Sequence, residues 1–191
     1  MDKKPFLQAV DIKKTFHVED TQVEILKGIS LSVGKGEFGI IFGPSGCGKS
    51  TLLHTLLGLE LPTSGKIFLD GKDVYSMTED ERALFRRHTI GMIYQQPLWV
   101  SAFTVIENIM FPLHLINMED SVIEKKAYET LEMVGLSQWA NYTPTELSSG
   151  QQQKISLARA LMTDPQLIVA DEPTGNLDTV SGQELLNTFI Q

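Results

Sequence analysis

The stretch Gly43–Ser50 reads GPSGCGKS and fits the pattern G-x-x-x-x-G-K-[ST]. No other feature constrains the fold as much, because such a loop works only between a buried strand and a helix. Both flanks are present. GEFGIIFG (Gly36–Gly43) is a short apolar run ending in glycine, as a buried central strand should be. KSTLLHTLLGL follows with helical spacing and stops near Gly58. The glycines let the backbone curl so that successive N–H groups point inward at phosphate oxygens. The helix N-terminus adds its partial positive charge. Lys49 can reach the β- and γ-phosphates of a bound nucleotide, and Ser50 can ligate Mg2+. Cys47 fills a free position of the pattern as a small residue.

The rest of the chain is organised around that loop. Phe6–Val10 and Glu24–Val33 alternate as strands, and SGKIFLDGKDV reads as a strand with an Asp70-Gly71 turn. Thr78-x-x-Glu81 is a capping box that opens a helix to about Arg87. TIGMIYQ is a second buried strand. Thr104-x-x-Glu107 and Ser121-x-x-Glu124 then open helices running to about Leu113 and Val134, so Val100–Leu147 is a helical block without strands. Ser148–Met162 is a helix, QLIVADEP a strand, and Ser181-x-x-Glu184 opens a last helix. This order predicts an α/β core with a parallel central sheet and an inserted helical lobe.

Composition excludes several classes. A net charge of −8 over 191 residues argues against nucleic-acid binding as the main task. One cysteine permits no intrachain disulfide, which fits a reducing compartment. The N-terminus has no apolar core of signal-peptide length. His88–Ile106 carries no Asp, Glu, Lys or Arg and is long enough to cross a bilayer. It contains Gln95, Gln96, Pro97 and Ser101, so it reads as a strand followed by a loop, and any work at a membrane would need a partner. A GTPase would want Asn-Lys-x-Asp, and the nearest string, GNLD (Gly175–Asp178), lacks the lysine. A small-molecule kinase would want an arginine-rich lid, and the lobe has no arginine.

Two strand ends carry further chemistry. LIVADE (Leu167–Glu172) ends in adjacent carboxylates. Beside the phosphate loop, Asp171 can hold Mg2+ through water, and Glu172 can orient and polarise an attacking water. Gln95 closes the strand Ile90–Tyr94. A neutral amide can touch Mg2+ or that water and report the γ-phosphate to the following loop, with Gln96 the adjacent alternative.

GPSGCGKST, YQQ, LSSGQQQ, LIVADEP and GNLD, in that order, resemble an ABC-type ATPase over essentially the whole chain. ILKGISLSV, PTSGKIFLDG, SSGQQQKISLARAL and DEPTGNLDT look like the lipoprotein-export, macrolide-export and antimicrobial-peptide export group. The resemblance implies a P-loop NTPase (RecA-like) core, an N-terminal antiparallel β-subdomain and an inserted α-helical subdomain. Residues 1–99 and 148–191 would form the nucleotide-binding core and 100–147 the lobe. It implies ATP and Mg2+ as cofactors, held through Gly43, Pro44, Ser45, Gly46, Cys47, Gly48, Lys49, Ser50 and Thr51, with Phe16 stacking on adenine. Ser50, Gln95 and Asp171 would serve the metal, and Lys49, Gln95 and Glu172 the chemistry. Ser148, Ser149, Gly150 and Gln151 would face the nucleotide of a second copy in a head-to-tail homodimer. Asp178 would lie in the loop that communicates between the two sites. A transmembrane permease subunit would dock on the Gln95 loop and the lobe, where Trp99 and Phe103 suit such a contact or the lobe's own core. The chain itself would not enter the bilayer and would sit in the cytoplasm at the membrane's inner face.

Two features depart from the family pattern. Where the family usually has Leu-Ser-Gly-Gly-Gln, this chain has Leu147-Ser148-Ser149-Gly150-Gln151. A serine there forbids little if the backbone is helical and costs about 1 kcal/mol or more if φ is positive. Relatives also continue through another strand to a histidine that contacts the γ-phosphate. Here His17, His54, His88 and His114 all precede the acid strand. The expectation is a chain truncated at its C-terminal end, short of one sheet edge and of much hydrolytic competence. An ABC-type regulator of cell-wall hydrolases at division shares these motifs and is the alternative function. A DNA-repair ABC ATPase is excluded, because Ser50 to Leu147 leaves no room for a long coiled coil.

Overall fold

The computed structural model describes residues 4–190. The chain folds as two compact units, Met1–Arg86 and Arg87–Gln191.

In the first unit, β1 (Leu7–Val18) and β2 (Thr21–Val33) form a long antiparallel hairpin. β3 (Ser64–Leu69) pairs antiparallel with the other edge of β1, and β4 (Lys72–Asp73) completes the order β2-β1-β3-β4. The turn from β3 to β4 has φ 47° at Asp70 and 76° at Gly71, the left-handed pair a tight hairpin turn requires. Leu7, Ala9, Ile12, Leu26, Ile67 and Leu69 form the buried face of the sheet. α1 (Lys49–Leu56) and α2 (Glu79–Thr89) are this unit's helices, the second ending just past its boundary. The hairpin extends well beyond the segments expected from alternation. Its polar outer part is held by ladder bonds rather than burial, and its register shifts between Ala9 and Ile12, where Asp11 has φ 49°. A shifted register breaks the period-2 pattern a sequence can show.

One expectation is corrected. Gly36–Gly43 is not a buried central strand. It runs without a ladder partner among the described residues, and Phe38, Ile40 and Phe42 are 70%, 62% and 86% exposed. Apolar content alone does not make a strand; a second backbone must lie within ladder distance.

In the second unit, β5 (Ile90–Ile93) and β6 (Leu167–Ala170) pair in parallel. The ladder is extended at both ends, by Gln166 N–H to the Thr89 carbonyl and Asp171 N–H to the Ile93 carbonyl, each 2.9 Å. Four helices surround the pair: α3 (Val105–His114), α4 (Asp120–Met133), α5 (Ser149–Leu161) and α6 (Thr179–Ile190). Their apolar faces meet in one core that includes Ile93, Val105, Ile109, Leu131, Ile155 and Met162. No strand interrupts residues 100–147, as expected.

The helix starts show which side-chain signals were real. Thr104 and Glu107 form a full capping box on α3, and Thr78 bonds the Glu81 carboxylate at 2.8 and 2.9 Å before α2. Two expected boxes fail. α4 begins at Asp120 with Glu119 as its N-cap, two residues before the expected cap, and the Ser121 hydroxyl donates to Glu119 instead. α6 is capped by Asp178, while Glu184 pairs with Lys154 at 3.1 Å. A box at Thr143 and Glu146 closes a short 3-10 turn just before α5.

The carboxylates of Glu81, Glu107 and Glu146 are each held below the ordinary glutamate range by the backbone and hydroxyl donors of their capping threonines. A depressed carboxylate stabilises the fold above the unfolded value and loses that contribution as pH falls through the folded one. Thermal stability should therefore decline as pH falls below the ordinary glutamate value of about 4.5. Replacing all three by Gln keeps an acceptor at each cap and removes the titration, so the decline should flatten; an unchanged slope would show that these caps do not contribute.

Candidate active site

The phosphate loop lies in the first unit. α1 starts at Lys49, and its N-cap is Gly48 in the left-handed region at φ 101°, with no side chain capping the end. Any Cβ at Gly48 would also lie 2.7 Å from Ile25 Cγ2 on β2, so both backbone and packing require glycine there. The Lys49 ammonium lies inside the curve of the loop, donating to the carbonyls of Gly43 and Pro44 at 3.1 Å each. Cys47 is exposed and packs across Gly43, where an added Cβ would be 2.5 Å from its sulfur. Ser45 and Gly46 form the exposed tip of the loop, Ser50 follows Lys49 in α1, and the Thr51 carbonyl accepts the Thr55 hydroxyl at 2.7 Å. Phe16 sits on β1 opposite Val23, half-buried, with the Lys14 ammonium 4.7 Å from its ring centroid. A glycine curl, a cation within it and an uncapped helix end suit a polyphosphate chain.

The second unit holds the other expected residues. Asp171 continues β6 beside the end of β5. Glu172 follows with φ 46°, an unusual backbone for a residue with a side chain. Its carbonyl accepts the Gly175 N–H at 2.9 Å, which turns the chain back toward Gln95. The contact is close: a Cβ on Gly175 would be 2.7 Å from Gln95 Nε2. Asp178 accepts from the N–H groups of Val180 and Ser181 at 3.0 and 3.1 Å and from the Ser181 hydroxyl at 2.6 Å. Those donors hold its carboxyl below the usual aspartate range.

The residues of the segment Ser148–Gln153 face different partners. Ser148 is the N-cap of α5 in a complete capping box, accepting from the Gln151 N–H at 3.3 Å while its own N–H donates to Gln151 Oε1 at 2.9 Å. Ser149 is the first helical residue and is not among the positive-φ residues, so its Cβ carries no backbone strain. Gly150 packs against the start of α6, where a Cβ would come 3.3 Å from Ser181 Cβ. Gln152 accepts from the Trp99 indole N–H at 3.0 Å and donates to the Leu147 carbonyl at 3.0 Å. Gln153 donates to the carbonyls of Tyr94 and Gln95 at 3.1 and 2.8 Å. A cleft of about 190 Å³ opens among Gln95, Gln96, Ser149, Gln152, Gln153 and Asn176.

Within this unit the structure therefore brings Gln95, the turn after the acid pair and the start of α5 together. Trp99 and Phe103, which had two open readings, turn toward the lobe. Trp99 packs on its core beneath the Arg159 guanidinium, and Phe103 meets the Phe111 ring edge-on at 6.0 Å. Sequence reasoning missed Gln153 and Asn108. The signal for Gln153 is a polar residue at the head of an i, i+4, i+7 buried series with Leu157 and Ala160.

Residues 26–175 match the family model described as ABC transporter. The chain is 42% identical over 188 residues to the lipoprotein-releasing system ATP-binding protein LolD of Hyphomonas neptunium, covering 98% of this chain and 82% of that protein. It is 45% identical over 175 residues to the macrolide export ATP-binding/permease protein MacB of Bdellovibrio bacteriovorus, covering 92% of this chain and 27% of that longer protein. Among solved structures, it resembles the dimeric post-hydrolysis state of the ATP-binding cassette MJ0796 bound to ADP and Pi, with a TM-score of 0.87, 35% identity, and coverage of 96% of this chain and 81% of that one. No helix among the described residues is long and apolar enough to cross a membrane. The chain therefore belongs to the ABC transporter family as an ATP-hydrolysing, nucleotide-binding subunit.

Proposed function

We propose that this chain powers export, or the handling of lipoproteins or peptides, as one half of a head-to-tail homodimer joined to a transmembrane permease subunit at the cytoplasmic face of the membrane. The observation that carries the reading is the start of α5. Ser148 and Ser149 are exposed at a helix N-terminus. The capping box uses the Ser148 oxygen as an acceptor, which leaves the hydroxyl proton available to donate. First-turn N–H groups have no acceptor within their own helix, so an exposed helix start of this kind suits an anion brought by another molecule. The resemblance to LolD and MacB supports export or lipoprotein handling, and the dimeric MJ0796 cassette supports the paired arrangement.

In this reading the core comprises residues 1–99 and 148–191 and the lobe residues 100–147. Gly43–Thr51 would hold the phosphates, with Lys49 drawn from its loop carbonyls to the β- and γ-oxygens. Phe16 would offer its ring face to adenine. Ser50, Gln95 and Asp171 would hold Mg2+, which supplies charge neutralisation at the phosphates. Glu172 would orient the attacking water and take its proton. Ser148, Ser149, Gly150 and Gln151 would close over the second copy's nucleotide, so that ATP joins the two copies, and the Asp178 turn would link the two sites. Loss of the γ-phosphate contacts would release them, a ligand-driven shift between two states.

Two experiments test this. Glu172→Gln keeps the side-chain shape and removes the base, so turnover in Mg-ATP should fall about 100-fold or more while ATP accumulates a stable dimer. Unchanged turnover and no dimer would overturn the assignment. Ser149→Gly removes a Cβ from a helical position, so ATP turnover and thermal stability should stay within about twofold and about 0.5 kcal/mol of the parent. A tenfold change in either direction would show that the Ser149 side chain itself meets the nucleotide.

A further inference from the structure

Gln153 lies on the buried face of α5 and is only 2% exposed. A primary amide has two N–H donors, and both go to consecutive carbonyls at the end of β5, Tyr94 at 3.1 Å and Gln95 at 2.8 Å. Its Oε1 has no hydrogen-bond partner among the described residues. Flipping the amide would set that oxygen against two carbonyls, so the side chain has one usable orientation. From the other direction, the Gln95 amide lies against Gly175, whose N–H bonds the Glu172 carbonyl. The main chain of Gln95 is therefore held by α5, and its side chain packs against the turn after the acid pair. The residues that follow are tied to the same helix. Trp99 donates to Gln152, and Arg159 donates to the Leu98 carbonyl while covering the Trp99 ring.

We infer that Gln153 is a positioning residue that locks Gln95 to the start of α5. The amide that serves the chain's own nucleotide then moves as one body with the Ser148–Gln151 helix start offered to the second copy. The inference rests on the roles proposed above for Gln95 and Ser148–Gln151. It gives the row of three glutamines a division of labour: Gln151 caps the helix, Gln152 holds Trp99, and Gln153 holds the Gln95 main chain. A change at one site would then reach the other through two hydrogen bonds rather than through a long path.

The test uses Gln153→Met, which keeps length and approximate volume and removes both donors, in the full chain. Hydrogen exchange reads the lock directly. The amide of Val100, which donates to Asn108 Oδ1 at the end of the loop, should exchange about tenfold faster or more, with those of Ile155–Leu161 within about twofold of the parent. Unchanged exchange in the loop, or equal acceleration through α5, would overturn the inference, the second because it marks a general loss of packing. Steady-state kinetics reads the consequence. The variant should lose about tenfold in kcat with KM for ATP within about twofold, and the same substitution in a Gln95→Ala background should change kcat by less than about twofold. Equal losses in both backgrounds would overturn it. If the parent chain itself failed to hydrolyse ATP, the proposed function would fall, and the exchange measurement would still decide the lock.

Discussion

The second unit depends on how the backbone after β5 finds hydrogen-bond partners. From Tyr94 to Val100 the chain leaves the parallel ladder and enters no helix, so its polar groups need side chains or water. Gln153 takes the carbonyls of Tyr94 and Gln95, and Arg159 takes that of Leu98. Asn108, 1% exposed, accepts the Val100 N–H and donates to the carbonyls of Val100, Phe103 and Thr104. Two of these three residues come from α5 and one from α3. The loop is therefore a bonded bridge between helices, and its conformation is set by them. A buried donor lost from such a network costs about 1–3 kcal/mol, more than the bond's net gain, which is why networks of this kind favour a single arrangement.

The residues proposed for the chemistry lie in short segments at element ends. The phosphate loop precedes α1, the acid pair follows β6, and the LSSGQ segment opens α5. Helix starts are the natural place for anion recognition, because unused N–H groups and the helix dipole both point there. The three starts differ in chemistry. α1 is uncapped and follows a glycine, α5 is capped by a serine that keeps a proton to give, and α6 is capped by the Asp178 carboxylate. An anion suits the first two and is repelled by the third. Asp178 therefore acts on structure, capping α6 where Ser181 packs beside Gly150, as well as on communication in the proposed reading.

Much of the local architecture was legible because its signals are local. The Thr78 and Thr104 caps, the Asp70-Gly71 turn, the helix capped by Ser148 and the helix that follows the phosphate loop each depend on residues within a few positions of one another. The failures have the same explanation in reverse. Ser121 and Ser181 carry the capping pattern, but Glu119 and Asp178 compete for their hydroxyls and helix starts. Gly36–Gly43 has strand composition, yet strand pairing is a property of two segments, and no described strand meets this one. In sequence Gln153 is one of three adjacent glutamines, and nothing in its neighbours names Tyr94 and Gln95, which lie 59 and 58 positions away.

The sequence by itself determined the motif order, the family and the residues that phosphate and metal chemistry would use, since these follow from side-chain type and short spacing. It also determined that Ser149 stands where the family has glycine. Only the tertiary structure decided that Ser149 carries no backbone strain, because strain depends on φ, and the backbone there is helical. Only the tertiary structure could turn three adjacent glutamines into a cap, a tryptophan anchor and a loop lock. Successive helical residues point about a hundred degrees apart, so neighbours in sequence face different partners in space.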